Sequence, residues 1–155
     1  MYVFPTGGCD QMSEKNESPA DVVRALYAAL GEGDIKGVLA RMAPDVIIDE
    51  PNRLPYGGVH RGREAFAEAV LGGMTAHADI TITGTDVFEG PAGIVGRLTG
   101  TLKARSSGEE YALTLVEVHR VEDGLVQEID VYTKNPEGVA EFFAHAEAGA
   151  ADHSG

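Results

Sequence analysis

The hydrophobic pattern along the chain changes period once, near His77. Before that point apolar residues recur every three or four positions; after it they alternate. Val22, Val23, Leu26, Ala29 and Leu30 fall on one side of a helix that Ser18 caps and Pro19 opens, with Asp21 in its first turn. Gly31 and Gly33 end it. Asp34 caps a second helix carrying Ile35, Val38, Leu39 and Met42, which Pro44 closes. A strand is predicted over residues 45–50, then a long loop, then a third helix over 64–74 with Phe66, Ala69 and Val70 inward. Four strands follow over 78–88, 92–103, 111–121 and 125–133, separated by Gly90-Pro91, Ser106-Ser107-Gly108 and Asp123-Gly124. Asn135-Pro136-Glu137 opens a last helix with Val139, Phe142 and Phe143 on one face. Residues 1–18 and 148–155 read as a loose leader and tail around one domain over 19–147. Helices followed by an antiparallel meander imply an α+β fold, with helices packed on one face of a curved sheet. Such a cone encloses a cavity suited to a small molecule.

Glu50 is the first candidate for chemistry. Pro51 disfavours a helical conformation at Glu50, and strand alternation then puts Val46, Ile48 and Glu50 on one face. A glutamate on an apolar face is costly unless it is paired, protonated or used. It is either an acid or base in a pocket, or a structural partner of Arg53 or Arg61. In the loop that follows, Tyr56 could donate a hydrogen bond to a substrate, and His60 could act with Glu50. Both also suit plain packing or capping roles.

The last hairpin offers two faces. A two-residue turn at Asp123-Gly124 pairs Val121 with Val126, His119 with Glu128, Glu117 with Asp130 and Leu115 with Tyr132. One face then carries Glu117, His119, Glu128, Asp130 and Tyr132, and the other Thr114, Val116, Val118, Ile129, Val131 and Thr133. Clustered carboxylates beside a histidine can shift pKa values usefully, which favours the polar face as the site. Alternatively the valine face lines the cavity and the polar face lies outside. A one-residue slip on one strand would reverse that strand's faces.

Composition narrows the partners. The chain has 155 residues, with 25 Asp and Glu against 12 Lys and Arg, a formal charge of −13. That balance argues against nucleic acid and anionic membranes. No apolar run approaches the roughly 20 residues that span a bilayer, and the first residues lack the pattern of a signal peptide. A cytoplasmic location is expected. The single cysteine, Cys9, excludes an internal disulfide. No HxxxH or CxxC spacing marks a metal site, Gly57-Gly58 has no phosphate-loop context, and no serine sits in a nucleophile elbow. Neither metal nor cofactor is expected.

Particular segments carry a resemblance: Leu26-Tyr27-Ala28-Ala29-Leu30, Gly33-Asp34, Met42-Ala43-Pro44-Asp45-Val46, Glu50-Pro51, residues 56–63, Asp123-Gly124-Leu125-Val126 and Glu128-Ile129-Asp130-Val131-Tyr132. In this order they resemble the SnoaL-like polyketide cyclases and ketosteroid isomerases of the nuclear transport factor two-like superfamily, over about residues 19–145. The resemblance implies a cone-shaped α+β barrel, with a curved mixed or antiparallel sheet, three N-terminal helices closing a cavity and a short C-terminal helix. It also implies a cofactor-independent acid–base enzyme (isomerase, aldol-type cyclase or dehydratase) acting on a small hydrophobic carbonyl or polyketide-like compound. The superfamily contains non-catalytic binders too, which is the alternative. Counted without a gap from Gly33-Asp34, Glu50 falls where the isomerases keep their base. Their oxyanion-hole tyrosine falls at Leu26, one place from Tyr27, and their oxyanion-hole acid at Val116. The Asp-Arg-Asp set of related epoxide hydrolases falls at Leu98, Gly100 and Val131, which disfavours that chemistry. The resemblance therefore puts the valine parity inward and a base at Glu50; with the two loop residues, the catalytic candidates are Glu50, Tyr56 and His60. Tyr27, Ile48, Val116, Val118, Ile129 and Val131 would bind substrate. The polar face would then form a homodimer, with His119 against a carboxylate of the other subunit and association tightening as it protonates.

Overall fold

The computed structural model describes residues 17–154, with side chains described as far as Ala151. The expected leader thus falls almost wholly outside the described residues. Helix α1 (Pro19–Gly31) starts where Ser18 Oγ accepts the Asp21 backbone N–H at 3.1 Å. Helix α2 (Ile35–Ala40) starts where Asp34 accepts that of Gly37 at 3.0 Å. Six strands follow: β1 (Met42–Glu50), β2 (Gly58–Arg61), β3 (Ala78–Gly90), β4 (Gly93–Ala104), β5 (Glu110–Glu122) and β6 (Leu125–Thr133). They form one mixed sheet in the order β2-β1-β6-β5-β4-β3, antiparallel except where β1 runs parallel to β6. Helix α3 spans residues 63–75, and α4 (Pro136–Ser154) closes the chain. Valines and leucines such as Val22, Leu26, Val46, Leu102 and Leu113 join Phe142 in the core between helices and sheet.

Several boundaries differ from the sequence reading. Strand β1 begins at Met42, where a helix was expected to continue. Pro44 lies in the irregular stretch between the Met42 and Ile47 pairings, where a missing N–H is tolerated. Strand β2 lies inside the stretch read as loop. It has only four residues, and Ile48 and Glu50 of β1 stand opposite His60 and Gly58. Helix α4 runs through the expected tail for 19 residues, so it is not short.

Helix α3 is built of an α turn (Arg63–Ala65), a π-helical segment (Phe66–Leu71) and a closing α turn (Gly72–Thr75). Arg63 anchors its start by donating to the Met42 carbonyl, at 2.8 Å from Nε. At its end Arg105 donates to the carbonyls of Thr75 and Ala76, which the last turn leaves free, and to that of Ala78 at the start of β3, all at 2.6–2.8 Å.

The β5–β6 hairpin decides what faces inward. Its turn is as expected: Asp123 and Gly124 both have positive φ (56° and 76°), and Val121 pairs with Val126. The register then slips, so that Arg120 pairs with Glu128 and Gln127 is an extra residue on β6. Beyond this bulge His119 pairs with Ile129, Glu117 with Val131 and Leu115 with Thr133. Val116 and Val118 share the outer face with Glu128, Asp130 and Tyr132 instead of lining the cavity. The expected polar face is thereby divided, Glu117 and His119 going in and Glu128, Asp130 and Tyr132 staying out.

Candidate functional site

A cavity of about 630 Å³ opens between the inner face of the sheet, the α1–α2 corner and α3. Its walls are largely apolar, from Val70 and Met74 of α3, Ile80 of β3, Leu98 of β4 and Leu115 of β5. Three carboxyl-bearing residues line it: the exposed Glu32 at the α1–α2 corner, and Glu50 and Glu117 farther in, with Tyr56 also among the lining residues. No Lys, Arg or His is among its described lining residues.

Glu50 ends β1, where alternation after Val46 and Ile48 points it inward. It is only 7% exposed and makes no ion pair among the described residues; Arg53, its expected partner, lies 3.5 Å from Glu137. Burial, then the charges of Glu117 and Asp49, push its pKa up to about 8. At neutral pH this carboxyl holds its proton.

The loop after β1 places Tyr56. The Leu54 N–H donates to Pro51 O (3.1 Å) and the Gly57 N–H to Leu54 O (2.9 Å), giving two successive turns. A side chain at position 57 would put Cβ 2.3 Å from Pro51 O, so the close approach requires glycine. The Tyr56 ring is buried edge-on against Phe143 of α4, centroids 5.5 Å apart. Burial and then Glu50 push its hydroxyl above the ordinary tyrosine range, so it stays a neutral donor. His60 is half-buried on β2 and donates from Nε2 to the Tyr56 carbonyl (2.9 Å). It steadies the loop and is not among the lining residues.

Behind Glu117 lies a group of polar side chains drawn from two elements. Tyr27 of α1 donates its O–H to Glu117 Oε1 at 2.7 Å. His119, two residues along β5 and wholly buried, has Nε2 3.4 Å from the same oxygen. Its Nδ1 donates to the Ile94 carbonyl at 3.1 Å, and its ring meets Tyr27 edge-on at 5.7 Å. Room for Tyr27 comes from Gly96 on β4, opposite Glu117; a Cβ there would lie 1.9 Å from the Tyr27 hydroxyl oxygen. Burial first, then Glu117, pushes the Tyr27 hydroxyl far above its ordinary range.

Of the residues expected to bind substrate, Tyr27, Ile48, Ile129 and Val131 are buried in the core without lining the cavity, and Val116 and Val118 lie outside. Glu117 and His119 are the residues that the resemblance put on the outer face and that the structure turns inward. The usable signal was their parity with Leu113 and Leu115, both buried. Tyr27 and Glu117 each lie one residue past the positions, Leu26 and Val116, reached by the gapless count.

Residues 23–129 match the family described as the SnoaL-like domain. Among solved structures, the chain is similar to an NTF2-like protein of unknown function from Burkholderia pseudomallei K96243, at 26% identity and TM-score 0.68, covering 78% of this chain and 94% of that one. It is similar to a candidate polyketide cyclase of Xanthomonas campestris (23%, TM-score 0.67, 79% and 94% covered). It also matches TerC, co-crystallised with polyporic acid (21%, TM-score 0.69, 80% and 99% covered). No curated protein matches it.

Proposed function

The chain belongs to the SnoaL-like domain family, and from that premise we propose that it is a cofactor-independent acid–base enzyme of the cyclase, isomerase or dehydratase kind. Its substrate is a small, neutral, hydrophobic carbonyl compound. The observation that carries this reading is that two of the carboxyls lining one largely apolar cavity lie away from solvent, Glu50 holding its proton and Glu117 accepting the Tyr27 O–H. Two carboxyls with different hydrogen-bond partners at one cavity are suited to opposite halves of a proton exchange. Glu117 takes a proton from the carbon next to the carbonyl. The C–H electron pair becomes the enol double bond, and the carbonyl π pair takes the proton of Glu50. Tyr56 adds a neutral donor near the developing oxygen. Returning the proton to a different carbon gives isomerisation, and attack of the enol on a second carbonyl gives ring closure. The absence of a cationic side chain from the described lining disfavours carboxylate substrates. The candidate polyketide cyclase among the fold neighbours is in keeping with a carbonyl substrate.

The test is turnover of a panel of neutral β-dicarbonyl and polyketide esters by wild type, Glu50→Gln and Glu117→Gln. Each variant is expected to lose about 10²-fold or more in kcat/KM. Because Glu50 acts as an acid, wild-type kcat/KM falls as pH rises through about 8; a limb rising through 8 would make Glu50 the base. A Glu50→Gln enzyme within about threefold of wild type, under roughly 1 kcal/mol of barrier, sinks the mechanism. Equal binding by all three proteins with turnover by none identifies a binding protein.

A further inference from the structure

We propose that Glu117 and His119 hold one proton between them, a buried dyad in which His119 is a positioning residue that holds Glu117 ready and never touches substrate. This rests on the acid–base reading of the cavity and adds a member to its machinery. The Ile94 carbonyl can only accept, so the Nδ1 bond fixes a proton on that nitrogen. A neutral ring would then turn a bare Nε2 lone pair toward Glu117 Oε1, 3.4 Å away, with no other hydrogen-bond partner for Nε2 and no water access. Two acceptors facing each other in the interior leave both unsatisfied, and such a group calls for an explanation. One shared proton turns the contact into an attraction. The titratable groups facing the ring are Tyr27 from α1 and Glu117 from its own strand. The residues paired with it on β4 and β6, Ile94 and Ile129, are apolar.

The dyad changes the charge balance of the cavity. With Glu50 protonated and the Glu117–His119 pair sharing a proton, this inner group of three side chains is neutral at rest. When Glu117 takes a proton from substrate and Glu50 gives one up, the imidazolium offsets the new Glu50 carboxylate. Oε1 stays bonded to Tyr27 and His119 throughout, leaving Oε2 as the atom that exchanges with substrate.

Side-chain NMR of the full chain tests this between pH 6 and 8, reading the ring nitrogens of His119 and the Glu117 carboxyl carbon. The expected wild-type result is a second proton on the pair, on Nε2 or on the Glu117 carboxyl, with Nδ1 protonated throughout. In Glu117→Gln the ring is expected to become neutral, with Nε2 bare. A wild-type spectrum with bare Nε2 and a charged Glu117 overturns the proposal, as does a ring state that Glu117→Gln leaves unchanged. Neither readout needs a substrate, so failure of the dyad is distinct from failure of the enzymatic reading. Once turnover is measured, His119→Gln, which can donate to Glu117 but cannot titrate, is expected to lower kcat at least tenfold with KM within about twofold. An unchanged kcat in that variant would remove His119 from the machinery.

Discussion

Glu50 makes folding itself depend on pH. Its pKa rises from an ordinary 4.5 to about 8 on folding, so between those values the folded chain holds a proton that the unfolded chain releases. The stabilisation is fully present below about 4.5 and is lost as pH rises through 8, with a limiting slope of about 1.4 kcal/mol per pH unit. Glu50→Gln keeps the shape and removes the titration. Urea unfolding is expected to find the variant near wild type at pH 5 and clearly more stable at pH 8.5. Parallel loss of stability in both proteins would assign the slope to other acids. The substitution thus has opposed effects at one residue: Gln lowers activity while it removes the cost of burying a carboxylate.

At the scale of elements, the site depends on how closely α1 approaches β4 and β5. Gly96 leaves space for the Tyr27 ring, and Tyr27 in turn reaches Glu117. Gly96→Ala is expected to cost about 1–3 kcal/mol by overpacking, and Tyr27→Phe about 1–2 kcal/mol through the lost donor to a charged acceptor. Since the alanine methyl would itself dislodge the hydroxyl, the double variant should lose less than the sum. Full additivity in urea unfolding would mean that the two positions do not share this contact. The hairpin teaches a related lesson. Turn chemistry at Asp123-Gly124 was readable, but the extra residue Gln127, three positions beyond Gly124, was not. Its side chain donates to the Glu122 carbonyl at 3.0 Å, tying the bulge to the turn. No residue type demands a bulge at that position, and its effect is to exchange the partners of every residue that follows.

For the whole molecule, the outer face of the sheet carries Val116, Val118 and Tyr132 amid Arg120, Glu128 and Asp130. We propose that a second copy pairs here, because an antiparallel face left uncovered by helices is either solvated or paired, and aromatic and aliphatic groups among charges suit a C2 contact. The proton-linked tightening expected from His119 is withdrawn, since that ring is buried on the other face. Two chains of −13 repel, so association should tighten with added salt. Sedimentation at tens of micromolar is expected to find a dimer at moderate salt at both pH 6 and pH 9, weakened by Tyr132→Lys. A monomer under all these conditions would remove the dimer.

The amino-acid order alone determined the change from helical to alternating pattern, the capped starts of α1 and α2, the hairpin turn and the inward aim of Glu50. Each rests on interactions within a few residues: a cap oxygen, a proline beside an extended glutamate, a positive-φ pair. Tertiary structure decided the rest. Strand β2 exists because β1 supplies its hydrogen bonds, and Glu117 and His119 share the inner face with Ile129 and Val131 because one bulge on β6 resets the strand register. Glu50 keeps its proton because helix α3, strand β5 and a second carboxylate distant in sequence enclose it. Burial and pairing across strands are properties of the assembled sheet, and no local pattern encodes a carboxyl's surroundings.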